Sequence, residues 1–272
     1  MMWNLSFYKN FSARIRGVIS GKEVKSNSKI FILHGPPGVG KTRRAEEYAR
    51  VHGAALVFYQ CHAWTDADEL FAGVDVRAAV AGDVDNVRQP GVLAVAAEKS
   101  HSGLVVLVLD ELDKTSDKAE ALLLDFLQSG RVPLAPGVHV RANMDNLVVF
   151  ITTNGVREFS EALLRRGRRV WMQPLPVEEQ VKIIAERAGC SESLARVAWK
   201  AARWVAEQEG NSALSMQEGW NIVLELLEGE PTKQAVISAL QGWAARTEAG
   251  AIEAINCPMI PAIVGELKKI KK

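Results

Sequence analysis

The chain has 272 residues, is 48% hydrophobic, and balances 33 Lys and Arg against 32 Asp and Glu for a formal net charge of +1. That length and apolar content supply a core for one large domain or two modest ones, and the balanced charge excludes a bulk attraction to nucleic acid or an anionic membrane surface. Cys61, Cys190 and Cys257 stand far apart with no C-x-x-C pair, which argues against a disulfide framework or zinc site and for a reducing, cytoplasmic compartment. No apolar run reaches the roughly 20 residues of a membrane span. The opening MMWNLSFYKNFSARIRG lacks the apolar centre of a secretion signal.

The first predicted strand is KIFILHG, from Lys29, followed by a helix from Lys41 to about His52 and a second strand in AALVFYQC, ending at Cys61. LVVLVLD (Leu104 to Asp110) and LVVFITT (Leu147 to Thr153) are apolar throughout and rich in β-branched residues. Such runs read as strands buried on both faces, as in a parallel sheet covered by helices. A fifth, shorter strand is expected in RRVWMQPL. Strands alternating with helices in this way indicate a three-layer α/β domain.

Beyond Pro174 the pattern is helical only. LPVEEQVKIIAERAGC has Pro176 and two glutamates where a helix should begin and Gly189 where it should stop. Leu194, Val197, Ala198, Ala201 and Val205 form the stripe of a second helix closing at Gly210. Ser215 and Glu218 have capping-box spacing ahead of a third, and a fourth runs from about Thr232 to Arg246. Trp199, Trp204, Trp220 and Trp243 fall in this helical part, where they read as core or interface filler. His62 and Trp64 read as packing residues, since no second histidine stands at metal spacing.

GPPGVGKT, Gly35 to Thr42, follows a predicted strand and opens a predicted helix, the context that the G-x-x-x-x-G-K-[ST] phosphate loop requires. Glycines let the backbone curl until several N–H groups converge on a phosphate, and the helix N-terminus adds positive potential. Gly35, Pro36, Pro37, Gly38, Val39, Gly40, Lys41, Thr42 and Arg43 form the candidate nucleotide site. Lys41 is placed to reach the β- and γ-phosphates and Thr42 to ligate Mg²⁺. Kinases, GTPases and motors share such a loop. The strand ending in Asp110-Glu111 narrows the choice, since one carboxylate can hold Mg²⁺ while its neighbour polarises water.

GPPGVGKT, VLVLDELDK, FITTNG and SEALLRRGRRV, in that order and spacing, resemble the Walker A, Walker B, sensor 1 and arginine-finger motifs of the AAA+ ATPases. CHAWTDADELFAGVDV, GVLAVAAEKSHSG, ALLLDFLQSGRVPL and GVHVRANMDNLVVFITTN resemble the MoxR and dynein-related branch, which includes metalloenzyme-maturation and rubisco-activating motors, gas-vesicle proteins and the McrB restriction motor. The resemblance is close from Lys29 to Pro176 and looser beyond.

It implies a three-layer αβα P-loop NTPase core with a parallel sheet in the order 5-1-4-3-2, a small C-terminal helical lid, and a ring, commonly a hexamer, with ATP between subunits. The boundaries implied are an N-terminal extension at 1–28, the core at 29–175, the lid at 176–247 and a C-terminal tail at 248–272. Residue by residue, Asp110 and Thr42 would support Mg²⁺, Glu111 would be the general base, and Asn154 would orient the attacking water. Relatives often read ALLDRF at the finger, which aligns Arg166 with the arginine given to the neighbour's γ-phosphate and puts Arg165 at a usually acidic position. Arg166 is the first candidate and Arg165 the second, with Arg168 and Arg169 as interface or strand-edge charges.

FAGVDVRAAVAGDVDNVRQPG and GRVPLAPGVHVRAN, the latter with a Pro136-Gly137 turn, match the branch's two insertions, which in the family face the pore or the remodelled partner; on local grounds they read equally as surface loops. Many relatives carry a sensor-2 arginine at the start of a lid helix. In ALSMQEGW, Gln217 stands near that place with no arginine nearby. The terminal INCPMIPAIVGELKKIKK reads as a frayed, solubilising end or else a docking segment. The expected function is Mg²⁺-dependent ATP hydrolysis by a ring-forming motor that remodels a protein partner. The alternatives are a nucleic-acid-stimulated motor using Arg131 and Arg141, and a nucleotide-gated scaffold with little turnover.

Overall fold

Apolar runs without polar interruption form the middle of the sheet. In the computed structural model, which describes residues 29–83, 87–135, 137–210 and 214–270, the first strand β1 (Ile30–His34) leads into helix α1 (Lys41–His52) and strand β2 (Ala55–Gln60). The extension 1–28, Pro136 of the expected turn, Ala213, and the final Lys271 and Lys272 lie outside the described residues. A short helix α2 (Ala67–Leu70), strand β3 (Ala72–Val74), helix α3 (Val76–Ala81) and strand β4 (Arg88–Pro90) make up the first insertion. Helix α4 (Val92–Lys99) returns the chain to strand β5 (Val105–Asp110), and helix α5 (Asp117–Ser129) follows. The second insertion is the hairpin of β6 (Arg131–Ala135) and β7 (Val138–Arg141). Strand β8 (Leu147–Thr153), the single-turn helix α6 (Glu161–Leu164) and strand β9 (Arg168–Trp171) complete the core.

The main sheet runs β2-β5-β8-β1-β9 with every neighbouring pair parallel. Counting its strands in chain order, this is 5-1-4-3-2, as the resemblance implied. β5 and β8 are buried at every position, which is why their sequences lack alternation. β2 and β9 are the edges, and Leu56 and Phe58 of β2 face outward. On one face of the sheet Ile32, Leu107, Val149 and Ile151 pack with Leu93 of α4 and Leu123 and Phe126 of α5. On the other, Leu33, Val106, Val108 and Phe150 meet Ala45 and Ala49 of α1.

The C-terminal bundle comprises α7 (Val177–Ala188), α8 (Glu192–Gln208), α9 (Met216–Glu228), α10 (Lys233–Trp243), α11 (Glu248–Ile255) and α12 (Ile260–Ile270). Ser215 caps α9 in a full capping box with Glu218, and Gly219 lies against the Trp199 ring, where a Cβ would come within 2.6 Å. Trp199 belongs to the bundle's core and the half-buried Trp204 packs against it, whereas Trp243 is at its rim. One expectation is overturned here: the terminal segment is not a frayed end. Cys257, Ile260, Ile263 and Leu267 are buried in the same apolar cluster as Val181, Trp199 and Leu240, so the apolar stripe of INCPMIPAIVGELKKI is a core stripe of the bundle.

Candidate nucleotide site

The chain leaves β1 at His34 and curls through the glycine-rich turn into α1, in the crevice beyond the carboxyl ends of the strands. Gly38 holds a left-handed φ of 77°, which a glycine adopts without steric cost. α1 has neither a side-chain N-cap nor an acidic residue in its first turn, so its leading N–H groups and dipole face the crevice. Lys41 is 6% exposed. Its Nζ donates to the Gly35 carbonyl at 2.7 Å, the Pro36 carbonyl at 3.0 Å and Asn154 Oδ1 at 2.6 Å. Burial pushes this ammonium below its ordinary range, against the pull of Asp110, Asp113 and Glu111. A cation poised on backbone carbonyls beside a helix N-terminus suits a phosphate.

Asp110 ends β5, and its Oδ1 accepts from Thr42 Oγ1 at 2.6 Å and from Thr152 Oγ1 at 2.8 Å. A carboxylate and a hydroxyl are hard oxygen donors, and Mg²⁺ takes few of these from protein and the rest from phosphate and water. Among the described residues no group of three or more His, Cys, Asp or Glu forms a metal cage. Asp110 and Thr42, separated in sequence, are thus brought together.

Glu111 is the sole non-glycine residue of positive φ among those described, at 54°, and its N–H donates to Thr152 Oγ1 at 2.8 Å. Its Oε1 accepts from Asn154 Nδ2 at 2.8 Å, while its Oε2 accepts from Gln60 Nε2 at 2.7 Å and pairs with Lys114 Nζ at 2.5 Å. That hydrogen bond raises Lys114 above the ordinary lysine range. Asp113, buried in the turn after β5, accepts from the backbone N–H groups of Asn154 at 3.0 Å and Val156 at 2.9 Å, fixing the loop that carries Asn154. Asp113, Thr152, Gln60 and Lys114 were missed on sequence. Asp113 sits in plain view within DELD, and Gln60 is the polar residue that ends an apolar strand; the pairing of both depends on which strands are neighbours.

The profile of the AAA domain (dynein-related subfamily) matches residues 30–167. The chain belongs to this AAA family. The family carries nucleotide-driven ATPase activity, binds nucleotide at a P-loop, typically with Mg²⁺, and its members usually form oligomeric rings. The Lon protease homolog of Drosophila melanogaster mitochondria is 27% identical over 172 residues, 61% of this AAA chain but 16% of the Lon chain. Two point mutants of Thermotoga maritima RuvB share the fold at 14% identity. They have TM-scores of 0.52, covering 94% of this chain and 70% of the RuvB chain, and 0.50, covering 84% and 62%.

In this AAA domain the arginine run after Asn154 divides. Arg166, the first candidate on sequence, is turned against its own subunit: it donates to the carbonyls of Ala162 at 2.7 Å and Leu124 at 3.2 Å and to Gln128 Oε1 at 2.8 Å. Arg165 points outward and, among the described residues, pairs with the equally exposed Glu161 at 2.5 Å. Arg168 and Arg169 lie on the edge strand β9. The short helix that precedes the pair is anchored at its N-terminus by Glu120, 3% exposed, which accepts from Ser160 N at 2.9 Å and Arg157 Nη1 at 2.6 Å.

The bundle reaches the site through Ser215, whose Cβ lies 2.6 Å from where a Cβ on Gly38 would stand. Gln217 has an arginine beside it after all. Arg187, from the end of α7, lies 4.2 Å from the Trp220 ring and 3.5 Å from Gln217 Oε1. Burial, and then the charge of Arg43 at the head of α1, lower its pKa. The two insertions are hairpins, with Val74 opposite Arg88 and Arg131 opposite Arg141. Arg131 is paired with Asp125 at 3.2 Å. His62 contacts Glu69 at 3.3 Å, but Trp64 is not a packing residue: it is 84% exposed.

Proposed function

We propose that the protein is a Mg²⁺-dependent ATPase whose ring couples hydrolysis to the remodelling of a protein partner, in the manner of MoxR-like motors of the cytoplasm. The observation that carries the catalytic part is the unbroken path Lys41–Asn154–Glu111, flanked by Thr42 and Thr152 on Asp110. It links a phosphate-binding cation to a carboxylate through an amide that can hold a water between them. Lys41 and the N–H groups of α1 bind the phosphates, Asn154 orients the water, and Glu111 accepts its proton. Thr42 and Asp110 are the residues that would hold Mg²⁺, which would supply charge neutralisation to the phosphates when bound.

Residues 29–175 act as the nucleotide-binding core and 176–270 as the lid, with Arg187 as the lid's cation toward the phosphates. Arg165 is the arginine presented to the neighbouring subunit. Exposed apolar side chains at Trp64, Val74, Val80 and Val138, on or beside the insertions, support a protein rather than a nucleic acid as the partner. The test joins two variants. Lys41→Ala abolishes ATP binding, and Glu111→Gln binds ATP in a ring but turns over very slowly. Capture of protein by the ATP-held Glu111→Gln ring, without ATPase stimulation by DNA or RNA, supports the reading. Undiminished ATP affinity in Lys41→Ala, or a monomer at saturating ATP, refutes it.

A further inference from the structure

Glu111 is gripped from two sides that are not equivalent. Its Oε1 takes Asn154 Nδ2, and the same Asn154 accepts Lys41 Nζ through Oδ1 at 2.6 Å. A phosphate in the loop draws Lys41 toward itself, so nucleotide arrival loosens this side. Its Oε2 takes Gln60 Nε2 at 2.7 Å and Lys114 Nζ at 2.5 Å, and neither donor is bonded to a described residue of the phosphate loop. A carboxylate offers about four acceptor sites, and three are filled here. Two of the three are on Oε2, so a water to be activated at that oxygen must compete with an ammonium, since a base works only within hydrogen-bond reach of the proton it takes.

We propose that Lys114 is a brake on hydrolysis: it occupies Oε2 of Glu111 until it is drawn away, so that bound nucleotide alone does not free the base. This rests on the reading of Glu111 as that base. The Lys114 side chain is 48% exposed and one turn from Glu111 on a short 3₁₀ segment, so it can leave without disturbing the core. An ion pair of this exposure restrains its carboxylate by no more than about fivefold. The flexible four-carbon stem gives the ammonium somewhere to go.

The experiment is steady-state hydrolysis at saturating Mg²⁺-ATP with the full chain. Lys114→Met is expected to raise kcat about two- to fivefold with KM, ATP affinity and thermal midpoint unchanged. Lys114→Arg, which keeps the charge, returns the rate toward wild type, and Lys114→Gln serves in place of Lys114→Met should the latter fold poorly. The gain disappears when Glu111→Gln is added. An unchanged or lowered kcat in Lys114→Met, a parallel change in KM, or an arginine variant as fast as the methionine one overturns the brake. A Glu111→Gln protein that hydrolyses at the wild-type rate overturns instead the assignment of the base.

Discussion

Replacing Arg165 and Arg166 one at a time by alanine separates a stabilising arginine from a catalytic one. Arg166 makes three hydrogen bonds at 2.7 to 3.2 Å, two of them to backbone carbonyls of α5 and α6. Charge-assisted bonds at a partly exposed site together contribute about 2 kcal/mol. For a chain of this size that is a fall of about 4–8 °C in thermal midpoint. Among the described residues Arg165 pairs with Glu161, with side chains 78% and 81% exposed, and such a pair is worth about 0.5 kcal/mol or less. Its loss moves the midpoint by no more than about 2 °C. In turnover the order reverses: an arginine supplied in trans contributes about 10³–10⁵ to the rate. Arg165→Ala rings should bind ATP normally yet fail to activate a neighbour's site. The assay is scanning calorimetry of each variant, then ATPase in mixtures of variant and wild-type subunits at fixed total protein. Full turnover in pure Arg165→Ala rings, or an Arg166→Ala protein of wild-type stability but lost turnover, would refute the reasoning.

Three further outcomes follow from the same geometry. Arg187→Ala should weaken ATP binding more than ADP binding by about tenfold, the order of one charge-assisted contact, and equal affinities by fluorescence titration would remove Arg187 from the site. Leu267→Ala, fully buried in the bundle, should cost about 2–5 kcal/mol, whereas a near-zero change in denaturant midpoint would mean that α12 is not part of the core. Burial pushes the Glu120 pKa up, but Ser160 and Arg157 outweigh it and the net direction is downward from 4.5. A depressed folded-state value means stability present above about pH 5 and lost as the pH falls below 4.5 through the folded value. Glu120→Gln should therefore flatten the acid limb of a stability-against-pH curve, and parallel curves for the two proteins would contradict this.

The central strands were legible because their burial on both faces leaves uninterrupted apolar runs, and Leu147–Thr153 is predicted to the residue. α1 was equally plain, since its start follows the phosphate loop and Gly53 ends it. Asp110 and Thr42 could be paired in advance by motif. What lay out of reach was anything set by strand neighbourhood or side-chain rotamer. Gln60 meets Glu111 only because β2 lies beside β5, and Arg166 is turned inward in part by the Leu124 carbonyl and the Gln128 side chain of a helix about 40 residues away. Arg187 was not legible because an arginine is expected at the start of α9, while the charge arrives from α7 and rests on Trp220. The terminal segment was misjudged from its closing lysines, although its apolar residues already carried a helical stripe.

The contact between Ser215 and Gly38 makes the lid's angle adjustable from outside the phosphate loop. With only 2.6 Å between the Ser215 Cβ and the place of a Cβ at position 38, the bundle seats where it does because no side chain intervenes there. Ser215 acts as a set screw: Ser215→Thr keeps the hydroxyl that caps α9 while adding a methyl group that works as a wedge. The seat of the bundle can thus be altered from position 215, leaving every residue assigned to ATP unaltered.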